Sequence, residues 1–261
     1  MKKLALHVAA ISVLLAGSAS AADLRRPMPV KAPAPVPVAA YNWTGCYVGG
    51  GGGYGMYDQE SQAILANAPF GVKNDNGGRG WFGTVQVGCD FQIGSNIVIG
   101  AFGDYDWSGI EGDMSVPVFG WVGEEKLKNS WAAGGRIGWI PWTTTQLLVY
   151  VSGGYTQARF GDVNFVTAAT GVANGFSLAK NTYDGWFIGS GYEYGLGWLP
   201  ISGLFWKTEY RFASYDSENV QVSFLGAPVA GQFIDSRKYV HTVRSEIVWR
   251  FNFGGPVVAR Y

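Results

Sequence analysis

Charge, cysteine, histidine and long apolar runs are all scarce in this sequence. Charged residues make up 15% of the chain, and Lys+Arg and Asp+Glu balance at 19 each. No basic footprint for nucleic acid is present. Two cysteines and two histidines offer no ligand spacing for a metal, and no cofactor motif is seen. Past the N-terminus no apolar run reaches the roughly 20 residues that an α-helix needs to cross a bilayer. Helical periodicity is equally thin. A helical fold, a helical membrane protein and a nucleic-acid binder are excluded together.

Glycine and aromatics are plentiful: 39 Gly, 11 Trp and 15% aromatic residues overall. That composition suits many short strands joined by glycine-rich turns. The N-terminus MKKLALHVAAISVLLAGSASAAD has a basic start, a short apolar run and an A-x-A site, so residues 1–21 are predicted to be a cleaved secretory signal. Loss of Lys2 and Lys3 with it takes the formal charge from 0 to −2. No cysteine follows the apolar run, which argues against a lipoprotein anchor. Residues 22–40 carry Pro27, Pro29, Pro33, Pro35 and Pro37 and read as an extended periplasmic linker. Residues 41–261 are the predicted folded domain.

Eight strands are predicted, near 43–57, 80–91, 97–107, 129–140, 146–159, 183–196, 204–215 and 239–253. The connections between them alternate. Segments 58–79, 108–128, 160–182 and 214–238 are long, whereas QIGSN, PWTTT and GWLPIS are short. Long loops on one side and short turns on the other are the pattern of an antiparallel transmembrane β-barrel. An even strand number returns both ends of the barrel to the periplasm.

The strand LFWKTEYRFASY shows which face is which. Trp206, Thr208, Tyr210 and Phe212 alternate with Lys207, Glu209 and Arg211. In a soluble protein the charged face meets water. Here the charged faces are also the glycine-rich ones, as in strands 129–140 and 183–196. A narrow lumen needs small residues beside its charged ones, and a lipid-facing wall does not. The strand is therefore read with its aromatic face toward lipid. Trp81, Trp107, Trp131 and Trp186 fall near the loop ends of the strands, and Trp43, Trp139, Trp142, Trp198, Trp206 and Trp249 near the turn ends, forming two interfacial girdles. A soluble lipocalin-like barrel explains neither the girdles nor the loop alternation.

The predicted lumen set is Asp104, Arg136, Glu193, Lys207, Glu209, Arg211, Arg244, Glu246 and Arg250. Its near balance of sign points to a cross-linked plug, with Lys207, Glu209 and Arg211 meeting Arg244, Glu246 and Arg250 on the neighbouring strand. A charge-lined conducting path is the alternative. Cys46 and Cys89 fall nearly opposite on strands one and two. They either form a disulfide or remain two thiols facing lipid. After the signal the remaining histidine is His241, on the same face as Ser245. With Glu246 on the opposite face, a nucleophile–base pair lacks its orienting acid. An outer-membrane lipid-modifying hydrolase is thus a remote alternative.

The segments WTGCYVGGGGGYG, GTVQVGCDFQIGSNIVIGAFGDYDW and WRFNFGGPVVARY resemble the alphaproteobacterial outer-membrane immunogenic, or porin-family, small OmpA-like β-barrel proteins. The resemblance covers nearly the whole mature chain. It implies a surface antigen of the Gram-negative outer membrane, tied to envelope integrity and host contact, in contact with outer-membrane lipid and lipopolysaccharide and delivered by the barrel assembly machinery. The peptidoglycan-binding domain that follows some such barrels is absent. Insertion favours a last strand ending in an aromatic residue; Trp249, Phe251, Phe253 and Tyr261 share that parity, and either of the last two can terminate it. The long loops are expected to be solvated and mobile and to hold any ligand site for host or cell-surface partners. Segment 160–180 is the more apolar one and suited to docking a partner.

Overall fold

In a computed structural model, residues 41–252 are described; the predicted signal, the linker, Phe253 and Tyr261 lie outside them. The described residues fold into eleven strands: β1 (Gly45–Leu65), β2 (Ala68–Ile93), β3 (Ile97–Val116), β4 (Trp121–Trp139), β5 (Leu147–Phe160), β6 (Val163–Thr167), β7 (Ala173–Leu178), β8 (Asn181–Gly195), β9 (Leu204–Tyr215), β10 (Glu218–Phe224) and β11 (Ala227–Asn252). Eight of them follow one another as β1-β2-β3-β4-β5-β8-β9-β11, and β11 pairs back onto β1 from Gly45↔Asn252 to Leu65↔Gln232. Every pairing is antiparallel. The ring is closed, so no edge is left to hydrogen-bond within a bilayer.

The side-chain alternation follows the predicted inversion. Val87, Ile99, Ile137, Val151, Ile188, Trp206 and Ile247 are exposed, while Arg136, Glu193, Lys207, Glu209 and Arg244 are buried inside. Gly51 and its neighbours let the wall stay thin. A Cβ at Gly51 would come within 2.1 Å of the Ser245 carbonyl oxygen.

Tyr54 packs on Trp81, Tyr105 on Trp107, Trp131 on Tyr155 and Trp186 on Phe212, with ring centroids 4.9–5.7 Å apart, around the outer interface. Trp139 with Trp142, and Trp249 with Phe251, mark the inner one. Trp43 is a correction. It does not join the inner girdle but lies fully buried in the periplasmic mouth, its Nε1 donating to the Thr145 carbonyl at 3.0 Å. It shares the inward parity of Tyr47, so the pleat turns it into the lumen.

The larger correction concerns the long connections. They are built structure: β1 and β2 run far past the outer girdle and meet in a two-residue turn at Ala66-Asn67, and β10 and β11 meet at Leu225-Gly226. All four turn residues have positive φ, between 49° and 83°, as the tightest hairpin turns require. At 3.3 Å per residue, β1 beyond Tyr54 extends about 36 Å along the strand, or about 25–30 Å of height at the usual barrel tilt. In this outer storey β6, β7 and β10 take the places of β5, β8 and β9, running from β4 to β11. Between β2 and β3 the ladder stops at Arg79↔Glu111, and the Asn74 and Asn76 side chains close the seam by bonding Ser115.

Candidate functional site

The interior of the barrel holds a stack of ion pairs. At the periplasmic end Arg136 Nε donates to Asp90 Oδ1 at 2.9 Å and its Nη1 to Glu193 Oε2 at 3.3 Å. Arg250 Nη2 donates to the same two carboxylates, at 2.7 Å to Asp90 and 3.0 Å to Glu193. Two cations and two anions thus cancel within one layer. The rings of Tyr47, Tyr150 and Trp43 lie 4.6–5.0 Å from these guanidinium groups and take the apolar faces that hydrogen bonds cannot satisfy.

In the middle layer Lys207 Nζ donates to Gln86 Oε1 at 2.7 Å and lies 3.4 Å from Glu246 and 3.5 Å from Glu209. The Tyr150 hydroxyl donates to Glu209 Oε2 at 2.8 Å. In the outer layer Arg211 grips Asp104 with two parallel bonds of 2.9 and 2.8 Å, the arrangement that best fits guanidinium to carboxylate, and its Nε donates to Glu209 at 2.9 Å. Arg244 Nη2 donates to Asp106 Oδ2 at 3.0 Å. The enclosed cavity beside this layer has a volume of only about 20 Å³.

All nine predicted lumen residues point inward and join this stack. Their partners differ from the predicted ones. Of the pairs expected between adjacent strands, Lys207–Glu246 forms, whereas Arg244 reaches β3 and Arg250 reaches β2 and β8. Long side chains aimed at the axis of a narrow barrel touch the far wall more readily than a neighbour held parallel to them. Asp90, Asp106 and Gln86 were missed. Each has the inward parity of its strand, which was the available signal.

A second buried charge sits above the outer girdle, outside the lipid band. Lys238 Nζ donates to both oxygens of Glu125 at 2.9 Å and to the Gln59 side-chain oxygen. It lies 4.3 Å from the ring centroid of Phe160 and 4.9 Å from that of Tyr183. Burial pulls its pKa below the ordinary lysine value, outweighing the opposing pull of Glu125. Burial likewise pushes the Tyr57 and Tyr183 hydroxyls upward. Lys238 lies just before the predicted last strand, 239–253, whereas β11 begins at Ala227 and carries Lys238 within the ladder.

His241 and Ser245 sit on the lipid face with other partners: His241 Nδ1 bonds the Tyr210 hydroxyl at 2.8 Å, and Ser245 Oγ accepts from Trp206 Nε1 at 2.6 Å. Cys46 and Cys89 are directly opposite in the β1–β2 register and are joined by a disulfide. Trp249 and Phe251 face outward on the last strand.

The family comparison agrees on the architecture. The sequence profile of the outer membrane protein beta-barrel domain matches residues 9–257. The 31 kDa outer-membrane immunogenic proteins of Brucella melitensis and Brucella suis are each 28% identical over 259 residues, 94% of this chain and 98% of theirs. Among solved structures, OprG from Pseudomonas aeruginosa superposes with a TM-score of 0.47 at 11% identity, over 81% of this chain and 98% of that one. Ail of Yersinia pestis gives a TM-score of 0.34 at 9% identity, over 79% and 99%.

Proposed function

The chain belongs to the outer membrane protein beta-barrel domain family and resides in the outer membrane of a Gram-negative bacterium, and we propose that it works there as a sealed anchor for an extracellular contact surface. The observation that carries this reading is the ion-pair stack. Six acids and five bases fill the membrane-spanning lumen, each side chain engaged by at least one partner of opposite sign. Solute passage requires mobile or unpaired groups along a continuous opening. A stack in which every guanidinium spans between walls instead stiffens the barrel and blocks it.

What stands above the membrane is then free to serve contact. The outer storey continues the strand ladders of the barrel, and the Brucella relatives carry the word immunogenic in their names. Contribution to envelope integrity, adhesion and immune recognition are the roles such an object fits, with lipopolysaccharide around its wall. Catalysis is not part of this reading: the His241 and Ser245 side chains are each committed to an aromatic partner on the lipid face. The aromatic last strand, through Trp249 and Phe251, suits recognition by the barrel assembly machinery.

Replacing residues 58–77 by a short turn separates the two roles. The trimmed barrel is expected to insert and to keep the cell resistant to bile salts and EDTA, while surface contact and antibody recognition fall. Loss of envelope resistance with contact retained is the opposite result and overturns the reading.

A further inference from the structure

The four extracellular tips share one property that the rest of the outer storey lacks. Residues 61–72, 114–123, 163–179 and 219–234 contain no charged side chain. Charges bound each of them on both sides: Glu60 and Lys73, Asp113 and Glu124, Asp162 and Lys180, Glu218 and Asp235. The four segments lie far apart in sequence, yet they end at one place. Ala66 N donates to the Gly231 carbonyl, Ala168 N to that of Gly120, and Leu225 N to that of Gly175, at 2.8–2.9 Å. Phe70 stacks on Phe119, Trp121 on Phe176, and Phe176 packs against Phe224. The tips therefore form one crown, fixed by backbone bonds and a continuous row of rings.

The crown turns apolar side chains outward, Leu225 and Val172 in its turns and Val72 on its flank, below the Ala66-Asn67 turn and beside Lys73. Val72 is 80% exposed, Leu225 77% and Val172 63%. Isolated exposed aliphatics need no explanation, but this set comes from three hairpins meeting at one end of the molecule. Leu225 also holds a left-handed backbone, φ 49°, where glycine or asparagine is the easier residue. The enclosed cavity described beneath the crown, lined by Met114, Glu125 and Val163 among others, holds only about 10 Å³.

From these observations we infer that the crown is a membrane-contact surface that inserts its apolar tips into the interface of an opposing lipid bilayer, deepening the contact role proposed above and resting on it. The order of layers matches that partner. Going outward, a charged collar gives way to a row of aromatic residues and then, in the turns, to the exposed aliphatics Leu225 and Val172. The transmembrane wall shows the same sequence of layers where it passes from water into lipid. A convex apolar tip needs no shape complementarity to enter a bilayer, whereas a protein partner needs a matched surface. Without charge at the tips, the interaction does not depend on anionic lipid.

The test places the mature chain in nanodiscs and measures capture of phosphatidylcholine vesicles, with empty nanodiscs as control. Capture by the wild type is expected to hold steady between about 0.1 and 0.5 M salt, since screening acts on charges that the tips lack. The variant Val72→Ser/Val172→Ser/Leu225→Asn is expected to lose at least tenfold in capture while keeping the heat-shifted gel migration of a folded barrel. If the triple variant misfolds, Val172→Ser alone serves, with a smaller loss in the same direction. Capture no greater than that of empty nanodiscs, or unchanged in the variants, overturns the lipid assignment. A parallel assay of whole cells binding host cells keeps the two readings apart. Cell binding that falls in the variant without vesicle capture makes the crown a protein-binding surface. Cell binding that stays unchanged when residues 58–77 are removed rejects the contact role itself.

Discussion

Inside the lipid band the chain buries charge and exposes apolar side chains. At its extracellular tips it dispenses with charge and both buries and exposes apolar ones. The difference lies in what surrounds each region. The lumen is walled from lipid by a single layer of backbone and must fill itself. Charges suit it because each finds a partner of opposite sign, some across the narrow bore, as Arg250 with Asp90 at 2.7 Å, and others on the same or the neighbouring strand, as Lys207 with Glu209 at 3.5 Å and with Glu246 at 3.4 Å. The crown is surrounded by water, and a sealed apolar cluster with ring contacts holds it together. Between the two lies the Lys238–Glu125 pair, a single buried ion pair with an aromatic cage, sharing features of both. The comparison teaches that tightness in the lumen comes from paired charge, which is costly to break in part, whereas tightness in the crown comes from packing, which tolerates substitution at its rim.

The strongest way to break that contrast is to remove one lumen carboxylate. Asp104→Ala deprives Arg211 of its two-bond partner and Arg244 of a contact at 3.4 Å. A loss of roughly 3–5 kcal/mol is expected, read from the urea midpoint in micelles. Asp104→Ala combined with Arg211→Ala is expected to cost less than the sum of the two single changes, because neither charge is then left alone. Strict additivity would contradict the plug.

Lys238→Met in the outer storey comes next. It leaves the Glu125 carboxylate buried without its ammonium, at about 3 kcal/mol, and is expected to make the outer storey cleavable by pulse proteolysis in urea while the membrane band resists. The pH dependence has a defined sign. The folded pKa of Lys238 lies below the ordinary lysine value of about 10.4, so the open form binds more protons between those two values. Stability of the outer storey therefore gains a contribution as pH rises through that window, and Lys238→Met abolishes that gain.

Two smaller changes probe the backbone. Gly51→Ala puts a methyl group against the Ser245 carbonyl and is expected to cost about 1–3 kcal/mol by forcing β1 and β11 apart, visible as a lower melting temperature in micelles. Leu225→Gly relieves the left-handed strain at the β10–β11 turn and is expected to stabilise by about 0.5–1 kcal/mol, with the same readout.

Much of the membrane band was legible from period-two alternation. Lys207, Glu209 and Arg211 lie inside because the same parity on other strands is rich in glycine, and the structure keeps that parity throughout. Trp43 lies near a turn, but its parity is that of Tyr47, and parity rather than nearness to the turn decides that it enters the lumen. Asp90 and Asp106 share the inward parity of Gln86 and Asp104, and that parity is the sequence signal that places them in the lumen. The outer storey was hidden for another reason. Its turns are Ala66-Asn67 and Leu225-Gly226, and neither Ala nor Leu announces positive φ. The polar runs before them read as loops, although the ladder continues through them. Short strands such as β6 and β7 exist through tertiary pairing, which local pattern does not encode. The interior partners were beyond reach because contact across a lumen depends on strand stagger, which sequence spacing leaves open.

The central claim is that the barrel is closed, and single-channel recording in planar bilayers tests it most directly. The refolded mature chain is predicted to give no steady current, and Asp104→Ala to introduce brief openings as its two arginines lose their hold. Stable, ion-selective steps from the wild type, altered in size by Arg211→Ala or Arg244→Ala, would contradict the account and make the lumen a conducting path.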